Sequence, residues 1–205
     1  MPTLTSTARI PAHGTRMTLE EFLALDEDVR AELVDGVLVY KDLDFDVTPA
    51  RRPHGSVAAR LVRALGNHVD AHDLGEVFDS STEFVLRRDP PLVLAPDVSF
   101  VRQGRLPDDL VDDSAEYAVL APDLAAEVIS PSERMGEVQR KVEAYLRHGT
   151  ALVWLIDPRR RTAAAYALGG SVRWLREGEA LDGGDVVPGF SVPLAFLFAR
   201  LAPPG

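Results

Sequence analysis

Residues 124–157 read LAAEVISPSERMGEVQRKVEAYLRHGTALVWLID, and this stretch decides the fold. Leu124 to Ile129 and Leu152 to Ile156 are apolar runs of strand length, and Glu133 to His148 between them is long enough for a helix. Ser130-Pro131-Ser132 ends the first strand, Gly149 follows the helix where a left-handed residue is expected, and Asp157-Pro158 ends the second strand. A strand, a helix and a strand in this order form a crossover unit, expected to be right-handed with its two strands parallel. One residue breaks the apolar pattern of the first strand, and it is an acid, Glu127.

Working outward, strand-like runs occur at Glu76 to Phe78, Glu83 to Leu86 and Ala95 to Val101 upstream. Downstream, Thr162 to Leu168 and Ser171 to Arg176 flank Gly169-Gly170 as a hairpin. A second hairpin is expected at Asp35-Gly36, which tolerates positive φ at both turn positions, between Glu32-Leu33-Val34 and Val37-Leu38-Val39-Tyr40. Thr18-Leu19-Glu20-Glu21 has the form of a capping box and starts a short helix to about Leu25. From His54 to about Ala71, Val57, Ala58, Leu61, Leu65 and Val69 recur at helical spacing. Residues 1–16 are expected to be a flexible arm and residues 17–205 a single domain, since no Pro/Gly/Ser-rich interior stretch divides them.

The composition narrows the function. With 46% hydrophobic and 26% charged residues, and no apolar run of the roughly 18 residues a membrane span needs, the chain reads as a globular protein with no membrane partner. Zero cysteines exclude disulfides and thiolate metal ligands. Residues 1–14 lack a basic start followed by an apolar core, so a cytoplasmic location is expected. The net charge of −10 opposes general binding to a polyanion, so any nucleic-acid contact must be local. Local clusters occur at Arg51-Arg52, Arg60 with Arg63, Arg87-Arg88 and Arg159-Arg160-Arg161, and the first and third are the expected contacts. Arginines in loops and on helix backs can equally be merely solvated.

Asp97 and Glu127 are acids in otherwise apolar runs, and burying a carboxylate costs several kcal/mol or more unless a cation or donors compensate. Two such acids on neighbouring strands suggest a metal site, with the carbonyl of Val128 as a third ligand. Such an all-oxygen set suits Mg²⁺, or Mn²⁺ in its place. Of 22 lysines and arginines only Lys41 and Lys141 are lysine. Where arginine is the default, a lysine hints at a need for a compact point charge. Lys141 would orient or activate a water and stabilise a pentavalent phosphate.

The chain resembles the Uma-type family of putative restriction endonucleases, within the PD-(D/E)xK nuclease superfamily. The resemblance rests on Thr18 to Phe22, Glu32 to Gly36, His54 opening a helix, Pro96-Asp97-Val98, Glu127 to Ser132, Lys141 with Tyr145, and Trp154 to Pro158. It implies an α/β restriction-endonuclease-like domain, a central mixed sheet flanked by helices with added β-hairpins. It implies a Mg²⁺-dependent endonuclease hydrolysing phosphodiester bonds, with DNA as the expected substrate and a homodimer as a conceivable assembly. Asp97, Glu127 and Lys141 would be catalytic, Glu32 a further acid near the metal, and His54 a phosphate or water contact. The superfamily motif has its lysine two residues after the acid, where this chain has Ile129; the family instead places it on the next helix, here Lys141. Glu137 stands where an aspartate is usual.

Blander readings remain open for each residue. Asp97 can cap a turn after Pro96, Glu127 can pair with an arginine, and Glu137 with Lys141 can form a surface pair at i, i+4. Glu32 can be an exposed hairpin residue, and His54 can simply begin its helix. His68 and His72 lie one turn apart, a spacing that fits a metal pair but also a favourable helix C-terminus. Two rival functions stand beside the endonuclease: a catalytically idle nuclease fold that binds nucleic acid or a protein partner, and a ribonuclease or nuclease toxin.

Overall fold

The computed structural model describes residues 11–26, 29–41, 52–106, 119–131 and 133–201. The first elements are α1 (Leu19–Leu23), the hairpin strands β1 (Ala31–Val34) and β2 (Val37–Tyr40), and the long helix α2 (Arg52–His72). Next come β3 (Gly75–Asp79), β4 (Phe84–Arg87), β5 (Leu92–Leu94), β6 (Val98–Arg102) and β7 (Leu124–Val128). Helix α3 (Met135–Arg147) leads to β8 (Leu152–Asp157), β9 (Thr162–Ala167), β10 (Val172–Arg176), β11 (Ala180–Asp182), β12 (Ser191–Pro193) and α4 (Leu194–Leu197).

The central sheet has six strands in the order β10-β9-β8-β7-β6-β3. Only the β7–β8 pair is parallel, with Glu127 beside Leu155, as the strand–helix–strand reading requires. The mixed sheet is thus a single parallel crossover extended by antiparallel hairpins on both sides. A second sheet, β2-β1-β5-β4, lies beside it. Its β1–β2 turn has φ of 51° at Asp35 and 77° at Gly36, the two positive values the Asp-Gly pair predicts.

Each face of the central sheet is buried by one helix. Val57, Leu61, Leu65 and Val69 of α2 share a core with Val98, Phe100, Leu124, Ala126, Trp154 and Ile156. Val138, Val142 and Tyr145 of α3 share the opposite core with Val101, Ala125, Val153 and Leu155. Covering both faces explains why β7 and β8 read as nearly continuous apolar runs. The α1 capping box forms in full, with Glu21 N–H donating to Thr18 and Thr18 N–H donating to the Glu21 carboxylate.

Three features differ from expectation. Asp97 lies just ahead of β6 rather than inside a strand from Ala95 to Val101. Pro96 has no N–H for a ladder, and Leu94 belongs to the smaller sheet, so Ala95-Pro96-Asp97 is the passage between the two sheets. The strands β5, β11 and β12 and helix α4 span three or four residues each, too short for a periodic signal. Of the expected N-terminal arm, residues 1–10 lie outside the described residues; residues 11–16 run beside β2, where Gly14 N–H donates to Leu38 and Arg16 bridges Val37. Among the described residues no helix is long and apolar enough to cross a membrane.

Candidate active site

Alternation along β7 decides where its acid goes. Leu124, Ala126 and Val128 enter the core with α2 and Ala125 enters the core with α3, so Glu127 is directed to the α3 side. Helix α3 meets it with two residues at i, i+4, on the stripe that also carries Val138 and Val142. Lys141 Nζ lies 2.8 Å from Glu127 Oε1, and the Tyr145 hydroxyl donates to the same oxygen at 3.0 Å. Glu32 arrives from β1, whose neighbours Ala31 and Leu33 are turned into the core with α1. Its Oε1 accepts from Lys141 Nζ at 2.9 Å and from the Ala95 N–H at 3.1 Å.

Asp97 completes the cluster. The β6–β7 ladder has Val98 opposite Ala126, so one further step places Asp97 opposite Glu127. The ladder has run out there, and the Asp97 side chain takes over: Val128 N–H donates to its Oδ2 at 2.8 Å. His54, one turn ahead of Val57 on the buried stripe of α2, places Nε2 3.0 Å from the same oxygen. Lys41, just past β2, lies 3.7 Å from Oδ1 and also donates to the Ala95 carbonyl. Two sheets and two helices therefore contribute to one group of charges. The three acids Glu32, Asp97 and Glu127 are about 95% buried, at 5%, 5% and 4% exposure.

Burial on this scale is tolerable only because cations accompany the carboxylates. Burial alone would raise Asp97, but the hydrogen bond from His54 and the charges of Lys41, His54 and Lys141 outweigh it and hold the carboxyl well below the usual range. For Glu127 burial wins: its pKa is pushed up to about 7, against the charge of Lys141 and helped by the negative charge of Asp97. Lys141 is also opposed by burial, yet Glu127, Glu32 and Asp97 together raise it above the ordinary lysine range. It is a fixed cation at any physiological pH. Burial lowers His54, but the bond to and charge of Asp97 exceed that and shift it upward. Glu83, before β4, is pushed up to about 7 by burial and then by the charge of Glu32, with Lys41 opposing.

The structure thus brings Asp97, Glu127, Lys141, Glu32 and His54 together. Glu32 is not an exposed hairpin residue, and Lys141 is not a surface partner of Glu137, since its side chain is only 12% exposed. Glu127 pairs with a lysine and not an arginine. Sequence reasoning missed Lys41 and Glu83. A signal for Lys41 existed, because both lysines of this arginine-rich chain stand at the cluster; Glu83 carried none, being placed by the packing of β4. His68 and His72 each turn one ring nitrogen to a main-chain carbonyl: His72 Nδ1 faces the His68 carbonyl at 2.8 Å and His68 Nε2 the Pro188 carbonyl at 2.9 Å.

Whether a divalent cation fits is decided by the donor set. Among the described residues no three His, Asp or Glu side chains are arranged to hold an ion. An ion here would have two carboxylates, Asp97 and Glu127, and a main-chain carbonyl to draw on, an all-oxygen set that would leave the remaining positions to water. Asp97 suits this role because its neighbours hold it ionised.

Residues 19–195 match Uma2, described as putative restriction endonuclease. No curated protein matches the chain. Its fold is similar to the crystal structure of a putative nuclease belonging to DUF820 from Anabaena variabilis ATCC 29413, with a TM-score of 0.73 and 22% identity over 89% of this chain and 97% of that one. Over most of its length, then, the chain with this buried Asp97–Glu127–Lys141 cluster belongs to the Uma2 family of putative restriction endonucleases.

Proposed function

We propose that the protein is a metal-dependent endonuclease that hydrolyses phosphodiester bonds in DNA, with Asp97, Glu127 and Lys141 at the centre of its site. The observation that carries this reading is the buried lysine held 2.8 Å from Glu127 on the strand next to Asp97. Burying three carboxylates and two lysines in one place opposes stability unless the charges are used.

A bound Mg²⁺, held by Asp97, Glu127 and the Val128 carbonyl, would neutralise the phosphate and lower the pKa of a bound water. The protein residues do the rest. His54 and the Val128 N–H fix the orientation of Asp97 through Oδ2. Tyr145 fixes Glu127 through Oε1. Lys141, permanently charged, acts as a donor to the attacking water and to the developing negative charge on phosphorus-bound oxygen, and not as a base. Glu32 holds the lysine from its other side, so the ammonium is aimed before substrate arrives.

Incubation of supercoiled plasmid, single-stranded DNA and RNA with Mg²⁺ or Mn²⁺ tests the reading. Wild type should nick or linearise DNA in a metal-dependent way and Asp97→Ala should not; metal-independent cleavage, or equal cleavage by the variant, would refute it. The idle-module reading is favoured by one observation, that Lys141, Lys41 and His54 already satisfy the three acids. Absence of cleavage on every substrate, with retained nucleic-acid binding, would decide for it.

A further inference from the structure

Two of the four arginine clusters are at least partly committed to other partners. Arg87 is paired with Asp35 and the Pro90 carbonyl, Arg160 with Asp157, and Arg161 with Glu177. The cluster of Arg60 and Arg63 behaves differently. Arg60 and Arg63 of α2, with Arg200 beyond α4, line a cavity of about 510 Å³ together with Ser56, Ala59 and Phe196. No acid lines it, and none of the three arginines has an acidic partner among the described residues.

Helix geometry connects this cavity to the end of α2 that carries His54. Arg52, Ser56, Ala59 and Arg63 recur at i, i+4, i+7 and i+11, one stripe on the face opposite Val57, Leu61 and Leu65. The stripe starts two residues before His54 and runs about 16 Å along the axis at 1.5 Å per residue. Its middle positions, Ser56 and Ala59, are small, which lets a chain approach the helix closely between the guanidinium groups. At its far end Phe196 is 39% exposed, and the Arg63 guanidinium lies 5.8 Å from its ring centroid. Arg60 is anchored by its bond to the Leu197 carbonyl at 2.8 Å.

We infer that the outer face of α2, from Arg52 to the cavity walled by Arg63, Arg200 and Phe196, is a track for a nucleic-acid strand that starts at the helix end carrying His54, on the face turned away from that residue. In a chain of net charge −10, a polyanion can approach only where positive charge is uncompensated, and this groove supplies it. Arginine binds phosphate through a planar fork of donors, and an exposed aromatic ring offers a stacking surface to any base. The cavity falls within the roughly 300–1,000 Å³ of small-ligand sites, enough for a nucleotide unit of a strand. The inference rests on the nuclease reading for its ligand class, nucleic acid, yet strand binding on this face does not require cleavage.

Fluorescence anisotropy with labelled single-stranded and duplex DNA, in chelator so that no cleavage occurs, tests the track. The variants are Arg63→Gln with Arg200→Gln, and Phe196→Leu, which leave the Arg60 anchor and the catalytic cluster in place. The double variant should bind both probes at least tenfold more weakly, with a salt slope reduced by roughly one to two units. Phe196→Leu should weaken single strands more than duplex. Melting temperatures close to wild type would confirm that the variants fold. The track is overturned if wild type binds neither probe, or if the variants bind like wild type with the same salt slope. In a parallel Mn²⁺ assay, normal cleavage by track variants with unchanged binding would sink the track and spare the nuclease. Loss of binding by those variants, with no cleavage by any form, would do the reverse.

Discussion

Lys141 places its ammonium nitrogen 2.8 Å from Glu127, so that the helix following β7 folds back onto the strand carrying its own acid partner. With Glu32 on the other side at 2.9 Å, the lysine closes a gap between two sheets that would otherwise hold two buried negative charges.

Removing that cation should be costly to the fold as well as to activity. Lys141→Ala is expected to lower stability by about 3–5 kcal/mol at neutral pH, the usual result of leaving a buried charge unpaired. A surface pair with Glu137 would cost no more than about 0.5 kcal/mol, and burial of the ammonium removes that reading. Urea unfolding monitored by tryptophan fluorescence measures it, and a loss below about 1 kcal/mol would mean the acids reach water without the lysine.

His54 acts through Asp97. Its ring holds Oδ2 at 3.0 Å, so His54→Ala should weaken Mn²⁺ binding about 10–100-fold, as loss of an outer hydrogen bond to a ligand does. Titration calorimetry reads this directly. An unchanged affinity would mean that the Val128 N–H alone orients the carboxylate.

Lys41 has the opposite sign. Its charge faces Asp97 Oδ1 at 3.7 Å and competes with an incoming cation, so Lys41→Met should tighten Mn²⁺ binding by about 1 kcal/mol, roughly fivefold. A weaker affinity in calorimetry would instead make Lys41 a support of the site.

Glu83 gives a pH signature. Its folded pKa is raised from the usual 4.5 to about 7, by burial first and by Glu32 second. A group with a raised folded pKa contributes stability that is complete below the unfolded value and lost as pH rises through the folded one. Wild type should therefore lose stability relative to Glu83→Gln between about pH 4.5 and pH 7, with the difference levelling off above that. Melting curves of both proteins from pH 4.5 to 8 check it, and a constant difference would show that Glu83 titrates normally.

Much of this architecture was present in short stretches of the chain. The crossover from Leu124 to Asp157, the Asp35-Gly36 hairpin and the α1 capping box each depend on local properties: period, turn chemistry and backbone capping. The anomaly of acids at Asp97 and Glu127 was legible for the same reason, since a charge in an apolar run is visible without knowing what surrounds it. The resemblance to a nuclease family added Glu32 and His54, which no local pattern singled out.

What the tertiary structure decided was which charges meet. Glu83 lies in an unremarkable segment and Lys41 is marked only by being a lysine, and both reach the cluster only because the smaller sheet packs where β6 begins. Lys141 was visible as a rare residue, but its depth was not: at i, i+4 from Glu137 it has the spacing of a surface pair, and only the packing of α3 on β7 turns it inward. The sequence determined which residues are unusual, because rarity and periodicity are properties of the chain. Only the tertiary structure decided their partners, since pairing depends on distances of about 3 Å between segments far apart in sequence, and no local signal encodes those.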